Sequence, residues 1–221
     1  MELKRVKKIY KTPYGDIRAL DGVDLTIPKG SFMLIRGPNG SGKSTLLNMI
    51  GCIDKPSLGE IKIKDRPIGN VGDDELSSIR NKMMGYVFQG ENVIPHMTAL
   101  QNLILPGIIK GVDKTTLEKR GMEVLREIRL EDRARIKGTH LSGGEKQRLA
   151  MGRALFNHPE ILIVDEPTAF LDQKNASLIL ELLARANEGG ATVICTSHND
   201  DEMGDVNIWL KEGRIAEVRS K

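Results

Sequence analysis

Unbroken apolar runs alternate along this chain with stretches whose apolar residues recur every three or four positions. Phe32, Met33, Leu34 and Ile35 form one such run, residues 161–164 another and residues 191–195 a third, and each predicts a buried strand. Residues 60–64 instead alternate strictly between apolar and charged, as in a strand with one wet face. Residues 85–88 predict one more strand. Residues 45–50, closed by Gly51, and residues 174–187 predict helices. Between about 92 and 157 the texture is helical. There Asp113 can cap a segment in which Leu117, Val124, Leu125 and Ile128 share a face. Gly121 inside that segment costs about 1 kcal/mol relative to alanine and predicts an imperfect helix. Two short strands around Glu212 and Gly213 predict a closing hairpin. Strands alternating with helices imply an α/β fold with a mostly parallel sheet, a helical insertion at roughly 92–157 and antiparallel strands at the N-terminal edge.

Bulk properties narrow this only slightly. A chain of 221 residues can bury one proper core, so residues 1–221 are expected to form a single domain. The 33 basic and 30 acidic side chains nearly cancel, giving a net charge of +3, which argues against duplex nucleic acid as the main ligand. The basic first eight residues have no apolar core behind them, so no signal peptide is expected. No apolar run approaches the ~18–20 residues that cross a bilayer, so any membrane connection is expected to come through a partner. Cys52 and Cys195 lie far apart in apolar surroundings and are expected to be reduced, buried thiols in the cytosol.

Three strings carry chemistry. Gly37, Pro38, Asn39, Gly40, Ser41, Gly42, Lys43, Ser44 and Thr45 follow a predicted strand and open a predicted helix, the context a phosphate-binding loop requires. Its glycines let backbone N–H groups turn toward one anion at the positive end of the helix. Lys43 adds a charge for the β- and γ-phosphates, and Ser44 offers a hydroxyl to Mg²⁺. Glycine-rich turns also serve packing alone, but Lys43 and Ser44 are not needed for that. Asp165 and Glu166 end the apolar run 161–164. Successive strand residues point opposite ways, so only a strand's end can offer both acids to one cleft. Asp165 suits Mg²⁺, a hard cation, and Glu166 the attacking water. A solvated acidic turn is the plain alternative. Gln89 and His198 each close a predicted strand at the same edge, where doubly wound sheets bind ligands. Gln89 could touch Mg²⁺ or the water, and His198 the γ-phosphate; either residue is also common at a surface turn.

The string Leu141, Ser142, Gly143, Gly144, Glu145 opens a strong helical pattern. Ser142 is a good cap, and bare glycines leave the first-turn N–H groups open to an anion. An ordinary capped helix does not explain two poor helix formers in its first turn.

Together and in this order, these strings resemble the nucleotide-binding subunit of ABC transporters, and the resemblance covers essentially the whole chain. It implies a P-loop NTPase fold with a RecA-like sheet, an ATPase using ATP and Mg²⁺, and a cytoplasmic protein peripheral on the inner face of the cell membrane. Tyr10 matches the aromatic residue that stacks on adenine. Residues 141–145 match the family signature, which contacts the γ-phosphate held by the opposite subunit. Ala169, Phe170, Leu171 and Asp172 match the loop that links the two sites. Two chains would thus sandwich two ATP molecules, with Ser142, Gly143 and Gly144 of each completing the other's site, and an integral membrane permease would be the second partner.

The strings at 51–56, 85–89 and 94–102, with Leu105 and Pro106 after them, look more narrowly like the lipoprotein-release and macrolide-exporter group. Two departures stand out: Phe170 where the family usually has a small residue, and Gly90 and Glu91 after Gln89. Phe170 could alter the dimer contact and Gly90 could loosen the coupling to the permease, but neither removes a catalytic group. Rival expectations are a soluble ATPase of the same superfamily acting on DNA or ribosomes, a small-molecule kinase, and a binding module that does not hydrolyse. The first would carry long coiled coils, zinc motifs or a second cassette. The second does not need residues 141–145. The third does not need Lys43, Asp165, Glu166 and His198 together.

Overall fold

Apolar runs without a polar face must be covered on both sides, and that requirement organises the molecule. The computed structural model describes residues 1–90, 92–169, 171–197 and 204–220. Along the chain come β1 (Glu2–Thr12), β2 (Gly15–Thr26), β3 (Phe32–Arg36), α1 (Lys43–Ile50), β4 (Leu58–Ile63), β5 (Arg66–Pro67), α2 (Asp73–Met83) and β6 (Met84–Val87). They are followed by α3 (Ala99–Ile109), α4 (Lys114–Glu127), α5 (Gly143–Leu155), β7 (Ile161–Val164), α6 (Gln173–Glu188), β8 (Thr192–Thr196), β9 (Val206–Lys211) and β10 (Arg214–Ser220).

The main sheet runs β10-β9-β3-β8-β7-β6, parallel throughout except for the final hairpin of β9 and β10. Its central strands split their side chains between two cores. Met33, Ile35, Ile161, Ile163 and Ile194 pack with α1 and the N-terminal strands, while Phe32, Leu34, Leu162, Val164, Val193 and Cys195 pack with α3, α4, α5 and α6. Each fully buried aliphatic side chain contributes about 1.5–3 kcal/mol, so these short strands are held by burial rather than by length. The N-terminal strands form a separate antiparallel sheet, β2-β1-β4-β5, in which Ile61 and Ile63 of the alternating segment point inward. Both cysteines are free and buried, and burial pushes the Cys52 thiol up to about 11.

The helical layer lies between β6 and β7. A reciprocal cap of Thr98 and Gln101 starts α3, and the Asp113 side chain caps α4 by accepting from Thr116 N. Asn102, fully buried, spends its whole amide on the preceding loop: its oxygen accepts from Ile94 N, and its nitrogen donates to the carbonyls of Ile94, Met97 and Thr98. The residues 94–102 therefore form one wired unit. No helix among the described residues is long and apolar enough to cross a membrane.

One expectation needs correcting, and one helix was not expected. Helix α4 is continuous through Gly121 rather than imperfect. A Cβ there would lie 2.5 Å from Leu100 Cδ1 and 2.9 Å from Ile104 Cγ2, so the glycine is where α3 approaches α4. Helix α2 is marked by no apolar pattern. Only Leu76 is buried; acids at its start and Arg80 and Lys82 at its end suit the helix dipole instead.

Gly85 on β6 is packed more tightly still, since a Cβ would lie 2.3 Å from the Ala154 carbonyl oxygen of α5. Backbone cannot step aside as a methyl group can. Gly85→Ala is expected to lower stability in urea unfolding by about 1–3 kcal/mol. Gly121→Ala is expected to cost less, because helix propensity returns about 1 kcal/mol there.

Candidate functional site

Parallel strands in register end together, so the C-terminal ends of β3, β6, β7 and β8 all lie at one edge of the main sheet. The loop after β3 is a cradle that only glycine can build. Gly37, Gly40 and Gly42 have φ of 148°, 75° and 104°. A Cβ on Gly37 would lie 2.1 Å from Leu210 O, and one on Gly42 2.4 Å from Ala19 O. Gly42 leads into α1, whose first residue is Lys43. The Lys43 ammonium is buried and folded back, donating to Gly37 O at 2.9 Å and Pro38 O at 3.2 Å. Ser41 Oγ is buried with no partner among the described residues. Pro38, Asn39, Gly40 and Ser44 are exposed, and Thr45 is half-buried. Glycine backbone, a cation and a spare hydroxyl in one loop at a helix start suit a polyphosphate.

Asp165 and Glu166 follow β7. Asp165 is buried, its N–H donating to Val87 O. Thr196, the last residue of β8, donates its hydroxyl to Asp165 Oδ1 at 2.6 Å and accepts from Glu166 N at 2.8 Å. Glu166 has φ of 49°, a left-handed conformation that costs a non-glycine residue about 1–3 kcal/mol. Gln89 Nε2 donates to Glu166 Oε2 at 2.9 Å. Gln89 thus lies beside the acids at the same sheet edge, with the carboxylate of Glu166 as its partner. Tyr86, three residues earlier, donates to Asn48 Oδ1 and stacks on Phe88. Burial, aided by the Asp165 charge, raises its hydroxyl pKa. His198 lies outside the described residues, as do Phe170 and Glu91.

Tyr10, on β1, is held from two sides. Its hydroxyl donates to Asp54 Oδ2 at 3.2 Å, and the Lys8 ammonium sits 5.0 Å from its ring centroid while pairing with Asp54 at 2.7 Å. Partial burial raises the Tyr10 hydroxyl pKa. Burial would raise Asp54 as well, but the bonds from Lys8, Lys55 N and Tyr10 outweigh it and hold the carboxyl below its ordinary range.

Helix α5 opens with a reciprocal cap: Ser142 Oγ accepts from Glu145 N, and Glu145 Oε2 accepts from Ser142 N. Ser142 and Gly143 are exposed. Gly144 has a packing reason that sequence reasoning missed, since a Cβ would lie 2.7 Å from Asn175 Nδ2 on α6. Asp172 caps α6 by accepting from Asn175 N and Asn175 Nδ2, bonds that lower its carboxyl pKa. Asn175 therefore joins the start of α5 to the loop 169–172. Farther along α5, Gln147 donates to Pro167 O, and the guanidinium of Arg153 donates to the carbonyl of Asn92. Sequence reasoning missed Thr196, Asp54, Asn175 and Arg153, because each acts through a partner distant in the chain.

The donor set around the acid edge is oxygen-rich: the Ser44 hydroxyl, the Asp165 carboxylate and the Gln89 amide. That chemistry fits Mg²⁺. No group of three or more His, Cys, Asp or Glu that could hold a metal exists among the described residues, so such a cation would draw its other ligands from phosphate and water.

Comparison with known proteins agrees with this geometry. The family model described as ABC transporter matches residues 20–169, more than half of the chain. The ABC transporter ATP-binding protein MJ0796 of Methanocaldococcus jannaschii is 45% identical over 97% of this chain and 94% of its own length. The lipoprotein-releasing system ATP-binding protein LolD of Aquifex aeolicus is 37% identical over 97% and 96%. The macrolide export ATP-binding/permease protein MacB of Chlorobaculum tepidum is 36% identical over all of this chain, which spans 34% of that protein. A dimeric post-hydrolysis structure of MJ0796 bound to ADP and Pi superposes with a TM-score of 0.94 at 42% identity, covering 99% of this chain and 97% of that one. The same scaffold, the phosphate cradle and the paired acids leave one assignment: this chain belongs to the ABC transporter family, as one of its ATP-binding, ATP-hydrolysing subunits.

Proposed function

We propose that two copies of this chain close around two Mg-ATP molecules and so drive an integral membrane permease of the lipoprotein-release or macrolide-exporter type. The observation that carries the reading is the pairing of an intact phosphate cradle with an exposed, capped glycine tip on α5. The tip and the cradle both have exposed residues, and the dimeric state of the MJ0796 structure supports a two-chain arrangement. Lys43 and the loop amides hold the β- and γ-phosphates, Ser44 and Asp165 hold Mg²⁺, and Tyr10 stacks on adenine. Glu166 polarises the attacking water, with Gln89 oriented on its carboxylate and His198 reaching for the γ-phosphate. Mg²⁺ supplies charge neutralisation on the phosphates when bound. Ser142, Gly143 and Gly144 of the second copy complete each site, and the loop ending at Asp172 connects them. The permease places the protein on the cytoplasmic face of the membrane. Relatives over the full chain carry transporter names, which disfavours a soluble ATPase working on DNA or ribosomes.

Glu166→Gln is expected to cut turnover by about 10²–10⁴-fold while ATP still binds, since only the positioned base is lost. Gel filtration with excess Mg-ATP should then show a trapped dimer; a monomer under those conditions refutes the shared site. Ser142→Ala is expected to abolish that dimer in the Glu166→Gln background and leave monomer ATP affinity unchanged. Its loss of the cap should also cost about 1 kcal/mol of stability. Crosslinking in native membranes, read by mass spectrometry, should recover a permease with few membrane spans. A multi-span importer subunit in its place would reject the subgroup.

A further inference from the structure

We propose that Thr196 is a positioning residue that sets both acids at the end of β7 with a single hydroxyl. It closes β8 with no solvent exposure, beside the strand that carries Asp165 and Glu166. A hydroxyl owns one proton and two lone pairs. The Thr196 proton goes to Asp165 Oδ1 at 2.6 Å, the short distance of a charge-assisted bond, which leaves its lone pairs to receive Glu166 N at 2.8 Å. The two bonds therefore have one consistent direction. One of them fixes the rotation of the Asp165 carboxylate. The other gives the N–H of half-buried Glu166 an acceptor and so holds that residue at φ 49°, from which its side chain meets Gln89. A left-handed glutamate persists only where its surroundings hold it. A threonine in an otherwise apolar strand end would also be filled adequately by valine, which has the same branching and strand preference but no hydroxyl. The hydroxyl is thus the part that packing does not require.

This inference rests on the roles proposed above for Asp165 and Glu166, and its test separates the two. Thr196→Val removes the hydroxyl that accepts from Glu166 N and donates to Asp165 Oδ1. Turnover is expected to fall about 10- to 100-fold, the scale of one unsatisfied buried group, with the KM for ATP within about twofold of wild type. The Mg²⁺ concentration for half-maximal turnover is expected to rise. Thr196→Ser, which keeps the hydroxyl, is expected to recover most of the turnover. An independent readout needs no nucleotide: amide hydrogen exchange at Glu166 should accelerate at least about tenfold in Thr196→Val but not in Thr196→Ser, while the amide of Ile194 stays protected. Should the valine variant fail to fold, Thr196→Cys, a weak donor of similar size, serves in its place and is expected to follow it. Unchanged turnover with only a lower melting temperature overturns the proposal, as does unchanged exchange at Glu166. If Glu166→Gln loses turnover and Thr196→Val does not, the positioning role alone falls. If both keep it, the assigned roles of the acids fall, and this inference with them.

Discussion

Burial of the central strands on both faces is the constraint on which the rest of the structure depends. Strands β3, β7 and β8 donate alternate side chains to two separate cores, so nothing along their length can serve chemistry. Polar work is confined to their ends, and parallel register brings those ends to one edge. Lys43, Asp165, Glu166, Gln89 and Thr196 are therefore neighbours because their strands are apolar, although they are scattered along the chain. Such a sheet also resists shear, since sliding one strand would move side chains out of two cores at once.

The electrostatics of that edge are arranged before any ligand arrives. The Lys43 ammonium rests on two carbonyls of its own loop, which keeps a buried cation satisfied and poised over the cradle. Tyr10 is braced by Asp54 and Lys8, so its ring has little freedom left. Glu166 is held by its backbone from β8 and by its carboxylate from Gln89. Each group has been oriented by folding, so less ordering remains to oppose binding or turnover.

The features legible in the sequence were those whose signal is local. The cradle announces itself because glycines at 37, 40 and 42 are dictated by backbone conformation and close contact within a few residues. The buried strands and the caps at Asp113 and Ser142 read directly from neighbouring residues. What escaped depends on distant partners. Thr196 looks like one more β-branched strand residue until β7 is laid beside it. Gly121 reads as a helix defect until α3 is packed against it, and Gly144 reads as a ligand site alone until Asn175 of α6 fills the space above it. Helix α2 has only one buried residue, too few to show a period.

Arg153 joins α5 to the carbonyl of Asn92, and desolvation lowers the pKa of its guanidinium. Pulling that half-buried group from its acceptor would leave a partly desolvated charge without this bond, a cost of about 1.5–3 kcal/mol. The three-helix layer and the segment that begins at Asn92 are thereby obliged to travel as one body. That body joins the sheet twice, through the residues that follow Val87 and through those between Leu155 and Ile161. Gly90, with φ of 93° and open space around it, lies on the first of those connections, next to the residue whose amide meets the Glu166 carboxylate.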